Sequence, residues 1–278
     1  MKSIFLKNVS YLIVICSLFT YTLVFAQTAD EYLNIALVKF KEKEFKSSIV
    51  YCTKAIEQSK GNNVMAYYYR GLCRANLNEF EKAIENFTKA TVIDTKFTNA
   101  FYAKAISNQA LLNDEKAIED FNKAITLNPS FVSAYYYRAL SKATFKDYQS
   151  AIEDFSMCLK LNPKNSDAYY NRAYMYSAIQ NYRSAIIDYN RVLELSPSNL
   201  NAYLNRGLCK AKINDIEGSE LDFKRATQLD KQKVSAYYNS VANKLDNGQK
   251  NTGIVDSKQG TEEYAKNRAL EAISKLGQ

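Results

Sequence analysis

The chain's three prolines, Pro129, Pro163 and Pro197, stand 34 residues apart, and each closes a similar phrase: AIEDFNKAITLNP, AIEDFSMCLKLNP and SAIIDYNRVLELSP. Without its proline the phrase recurs as SSIVYCTKAIEQS around Ser48, KAIENFTKATVID around Ala83 and GSELDFKRATQLD around Ser219. The anchors Ser48, Ala83, Ala117, Ala151, Ala185 and Ser219 are separated by 35, 34, 34, 34 and 34 residues. A period of this length constrains folding more than any composition. One such unit is too small to bury its own apolar face, so the units must stack.

Each phrase follows a second one: AYYYRGLCRA from Ala66, AFYAKAISNQ from Ala100, AYYYRALSKA from Ala134, AYYNRAYMYS from Ala168 and AYLNRGLCKA from Ala202. Both have helical spacing. Tyr67, Gly71 and Arg74 share one face at i, i+4 and i+7, and Ala83, Phe87 and Ala90 form the matching stripe on the helix that follows. Short polar stretches such as 76–79 and 146–147 join the two, which suits antiparallel helices. The prolines end the second helix, because proline cannot continue the hydrogen-bond ladder and turns its predecessor from helical angles.

This helix-turn-helix unit resembles the tetratricopeptide repeat, whose landmarks appear as Tyr135, Ala139, Ala151, Phe155 and Pro163, with Cys158 where a last alanine is usual. The third repeat matches through Phe101, Ala105, Ala117, Phe121, Ala124 and Pro129. The fifth and sixth follow through Tyr169, Ala173, Ala185, Tyr189 and Pro197, and through Tyr203, Gly207, Phe223 and Ala226. The resemblance covers residues 29–233 as six repeats and implies an all-α, right-handed solenoid of antiparallel hairpins. The first repeat has Ser48 and Cys52 in place of alanine and aromatic, as expected of an N-terminal cap. Residues 234–278 read as a degenerate seventh repeat beginning SAYYNSVANKL, a loop with Gly248, Gly253 and Gly260, and a C-terminal capping helix over about 262–276.

Residues 1–26 have the layout of a secretory signal peptide: Lys2 and Lys7, then an uncharged apolar run ending in Ala26. Cleavage is expected before Gln27, giving an exported protein, periplasmic or extracellular. The open alternative is an uncleaved anchor over residues 9–26, near the lower limit of about 17 residues for a membrane span. Ile15 before Cys16 argues against lipoprotein processing, which wants a small residue there. The formal charge of +8 invites a nucleic-acid reading, but no run of five like charges supports it.

In this family the first helix of each hairpin lines the concave side, and a stripe offset from the core stripe faces the groove. By that carry-over the partner-binding residues are Tyr68 and Leu72, Tyr102 and Ile106, Tyr136 and Leu140, Tyr170 and Tyr174, and Leu204 and Leu208. Tyrosine offers large rigid contact area with a polar tip, as recognition surfaces use. The alternative is that these tyrosines pack between neighbouring repeats. The family's carboxylate-gripping lysines and asparagines are absent from the stripe, so an apolar protein or peptide segment is the expected partner, with Asn99, Asn171, Asn201 and Asn205 available to its backbone. Arg70, Arg138, Arg172 and Arg206 recur opposite Asp120, Asp154, Asp188 and Asp222, which reads as an inter-helix ion-pair ladder, with anion binding as the alternative.

Catalysis is not expected. The chain has no histidine, which excludes His-based triads and zinc sites that need His, and no glycine-rich phosphate loop or metal-ligand cluster is visible. No cofactor is implied. Cys52, Cys73, Cys158 and Cys209 read as small core residues, with a Cys52–Cys73 bond left open. The reading is a non-catalytic interaction scaffold or adaptor; its alternative is an accessory subunit of an exported enzyme or secretion machine, contacting through the convex face or the tail.

Overall fold

The computed structural model describes residues 27–236 and 262–276. The signal-peptide expectation at 1–26 and most of the degenerate seventh repeat lie outside these residues.

Twelve consecutive helices form six hairpins: α1 (Ala29–Lys41) with α2 (Phe45–Gln58), α3 (Val64–Asn76) with α4 (Phe80–Ile93), and α5 (Thr98–Ala110) with α6 (Asp114–Leu127). The series continues with α7 (Val132–Thr144) and α8 (Tyr148–Leu161), α9 (Ser166–Ala178) and α10 (Tyr182–Leu195), and α11 (Leu200–Lys212) and α12 (Ile216–Leu229). A helical stretch resumes at 231–236, and α13 spans Glu262–Ser274. Each helix of the twelve packs on its sequence neighbours, and first helices of consecutive repeats also touch, as in α1 with α3 and α9 with α11. The result is the expected all-α, right-handed solenoid.

Local chemistry sets the boundaries. Thr28 and Glu31 form a capping box at the start of α1, and Asn63, Asn165 and Asn199 cap α3, α9 and α11 by accepting from Ala66, Ala168 and Ala202. Every first helix ends in a left-handed residue: Lys43, Asn78, Leu112, Lys146, Gln180 and Asn214, all with φ of 59° to 65°. The next residue's N–H then reaches back five positions, as Glu79 does to Arg74 and Asn113 to Asn108, satisfying carbonyls the helix end would orphan. Pro129, Pro163 and Pro197 each sit two residues beyond a second helix.

The second-helix stripe is buried from the second to the fifth repeat, while Tyr67 and Arg74 on the first-helix stripe are half-buried. Ala83, Ala117, Ala151 and Ala185 let helices approach, while Phe87, Phe121, Phe155 and Tyr189 fill the space so created. In the second hairpin a Cβ on Gly71 would meet the Phe87 ring at 2.6 Å.

The C-terminal helix α13 packs on α5 and α3, in the third and second repeats. Its apolar face, Ala269, Ala272 and Ile273, joins the main hydrophobic cluster there.

Candidate protein-interaction groove

The first helices carry the candidate stripe, and four of its five tyrosines obey one rule. Each ring lies against the second-helix aromatic of its own hairpin: Tyr68 with Phe87 at 6.0 Å, Tyr102 with Phe121 at 5.9 Å, Tyr136 with Phe155 at 5.7 Å and Tyr170 with Tyr189 at 5.7 Å. Tyr68 and Tyr102 additionally meet Phe97 and Phe131. The stripe therefore belongs partly to the inter-repeat core.

Six of the ten expected groove residues are closed to solvent: Tyr68, Leu72, Tyr102, Ile106, Leu140 and Leu204. These six side chains are packed inside the protein. Tyr136, Tyr170, Tyr174 and Leu208 remain half-buried. Burial pushes the Tyr102 phenol well above its ordinary pKa.

Beyond α13 the face opens into a cavity of about 670 Å³. Val132, Ser133, Tyr136 and Tyr137 of α7 form one wall. Asp167, Tyr170 and Asn171 of α9 form another, with Asn162, Asn165 and Asn201 at its edge. Asn267, Arg268, Glu271 and Lys275 of α13 complete it. Tyr136 and Tyr170 are the two stripe residues that the structure brings to this cavity; Tyr174 and Leu208 are not among its walls. Arg268 lies over the Tyr137 ring, 5.8 Å from its centre.

Two amides are already engaged: Asn171 Nδ2 donates to the Tyr136 hydroxyl at 3.1 Å, and Asn205 Nδ2 to that of Tyr170 at 2.9 Å. Asn201, also expected to face a ligand backbone, lines the cavity. The sequence signal for the tail's share is the apolar stripe Ala269, Ala272, Ile273 and Leu276.

The arginines form a ladder. Arg138, Arg172 and Arg206 each grip Asp154, Asp188 or Asp222 through two nitrogens, at 2.5 to 2.9 Å. A third nitrogen reaches the preceding second helix at Asn122, Ser156 or Asn190. In the third repeat Lys104 pairs with Asp120, and in the second Arg70 donates to Asn86, which stands where the carboxylate recurs. Bidentate Arg–carboxylate geometry of this kind orients helices firmly.

Cys52, Cys73, Cys158 and Cys209 are all free and buried, and burial pushes their thiols up to about 12, 11, 11 and 12. Such thiols are poor nucleophiles. The Cys52–Cys73 bond left open by the sequence is not formed. Among the described residues no group of three or more acidic or cysteine side chains is placed to hold a metal ion, and no helix is long and apolar enough to cross a membrane.

Two family models of the tetratricopeptide repeat match the chain, one over residues 102–166 and one over 166–199. No curated protein matches it in sequence. Among solved structures, it is similar to a tetratricopeptide repeat protein from Parabacteroides merdae, with 19% identity and a TM-score of 0.64 over 90% of this chain and all of that one. It is also similar to YrrB, described as a TPR protein with an unusual peptide-binding site, with 18% identity and a TM-score of 0.62 over 68% of this chain and 97% of that one. MamA from Desulfovibrio magneticus RS-1 shares the fold at 20% identity and a TM-score of 0.58, over 62% and 96%.

Proposed function

Starting from a chain of tetratricopeptide repeats, whose proteins bind protein or peptide partners, we propose that this one is a non-catalytic scaffold that captures a partner segment on its concave face, outside the cytoplasm. The observation that carries the site is the cavity between α7, α9 and α13, with two half-buried tyrosines and a rim of asparagines. A tyrosine ring gives apolar contact area, and side-chain amides both donate to and accept from a peptide backbone. YrrB's peptide-binding site supports this reading by analogy of fold. The layout of residues 1–26 supports export.

The test is photo-crosslinking in intact cells from Tyr170, on the cavity wall, and from exposed Glu119 on α6 as the control, with the N-terminal residue read from the same purified protein. One stoichiometric adduct from position 170, none from 119, and a chain beginning at Gln27 is the expected result. Equal adducts from both positions would remove the groove assignment, and a chain retaining residues 1–26 in the membrane fraction would replace export by anchoring.

A further inference from the structure

Among the described helices, α13 alone leaves the order of the stack, lying across α5 and α3. One stripe makes the contact. Ala269, Ala272 and Ile273 are buried and Leu276 packs beside them, at i, i+3, i+4 and i+7 of a single face. The other face is polar, with Asn267, Glu271, Ser274 and Lys275 exposed. An amphipathic helix laid into an apolar groove is a recurrent mode of peptide capture. Here the captured helix is the chain's own.

The fit has a recognisable chemistry. Two alanines bring the α13 backbone close to α5, and Ile273, with no exposed surface, is the aliphatic anchor. The order Arg268–Ala269–Leu270 repeats Arg138–Ala139–Leu140 and Arg206–Gly207–Leu208, with the small residue again on the buried side. The face over α3 and α5 thus holds a helix patterned like the repeat's own first helices.

Resting on the interaction reading above, we infer that α13 is a tethered occupant of a partner-binding face over α3 and α5, next to the cavity that it helps to wall. The face over α3 and α5 accepts an amphipathic helix with small side chains at i and i+3 and an aliphatic anchor at i+4, and a partner helix of that pattern binds by displacing α13. The two cannot be seated together, because Ala269, Ala272 and Ile273 already fill the contact. Apparent affinity for a partner is therefore reduced by the fraction of time the face is open.

The test uses a fluorescent peptide of residues 262–276 as the probe, added to the full chain and to its double variant Ala269→Asp/Ile273→Asp, which places charge on the buried stripe of α13. The variant should bind the probe at least about tenfold more tightly than the wild type, since its own tail no longer competes. Equal affinities, or a folded variant that does not bind, would overturn the proposal. Should the variant lose helicity, hydrogen exchange on the wild type decides. Titrating the probe should strip protection from α13 amides while α3 and α5 keep theirs, and an α13 as protected as α5 at saturation would mean that it is a fixed part of the fold. Sedimentation of the wild type completes the set: a dimer formed by exchange of α13 would assign the face to a second copy and overturn partner displacement. Absence of a crosslinked partner from Tyr170 would sink the scaffold reading yet leave the probe competition intact, so the two failures are distinguishable.

Discussion

The Asn171 side chain donates to the hydroxyl of Tyr136 in the preceding repeat, 35 residues back, at 3.1 Å. Asn205 does the same for Tyr170. At the corresponding distance from Tyr68 stands Ala103, which has no donor, and the Tyr68 hydroxyl is buried without a partner. An unpaired buried hydroxyl costs free energy, whereas a paired one contributes about 0.5 to 1.5 kcal/mol. Tyr68→Phe is therefore expected to leave stability unchanged or raise it, and Tyr136→Phe to lower it by about 1 kcal/mol. Urea unfolding of the two variants checks the contrast. Equal losses would mean that the inter-repeat hydrogen bond adds nothing.

One position of the first helices holds Gly71, Ala105, Ala139, Ala173 and Gly207, and the structure shows where the difference matters. A Cβ at Gly71 would meet the Phe87 ring at 2.6 Å, whereas at Gly207 the nearest ring atom, on Phe223, is 3.1 Å away. Gly71→Ala should destabilise by about 1 to 3 kcal/mol through overpacking, despite the better helix propensity of alanine. Gly207→Ala should cost less or nothing. Thermal melts of the pair would expose the error if the order were reversed.

The arginine ladder is partly sheltered: the Asp188 side chain is 3% exposed and that of Arg172 19%. Replacing Asp188 by Ala leaves the half-buried guanidinium without its counter-charge, with only the Ser156 hydroxyl and the Tyr169 and Tyr176 rings as neighbours, and about 2 to 4 kcal/mol should be lost. Replacing both Arg172 and Asp188 with apolar residues of similar size should cost less than the single change. Denaturation midpoints at low and high salt check this; a loss that vanishes at high salt would place the pair among ordinary surface contacts.

The repeat, the hairpins and the ladder were legible because they follow from a 34-residue period and from helical spacing, both local properties of the chain. The ladder could be paired by position alone: Arg172 and Asp188 are 16 residues apart, as are Arg138 and Asp154. The groove was less legible. Tyr68 and Tyr136 occupy the same position of the repeat, yet one is buried and the other half-buried, because neighbours such as Ala103 and Asn171, and the seat taken by α13, differ along the stack. Where α13 docks is a contact between residues more than 150 positions apart, and no periodicity encodes it.

The buried thiols give the chain an alkaline limit. Cys52 and Cys209 are pushed up to about 12, and Cys73 and Cys158 to about 11, in each case first by burial. A thiol whose folded pKa is raised above its unfolded value of about 8.5 contributes stability that is fully present below that value. As pH rises the unfolded chain sheds these protons first, so the contribution is lost progressively from about pH 9 to about pH 12. The urea midpoint should therefore fall between about pH 8 and about pH 9.5, before the buried tyrosines Tyr68 and Tyr189, also raised by burial, add to the slope as unfolded phenols ionise at about pH 10. Cys52→Ala/Cys209→Ala would lower the whole curve through lost packing while flattening its slope, which separates the ionisation from the cavity it leaves. A slope unchanged by that double substitution would show that the thiols are not what the alkaline limit reports.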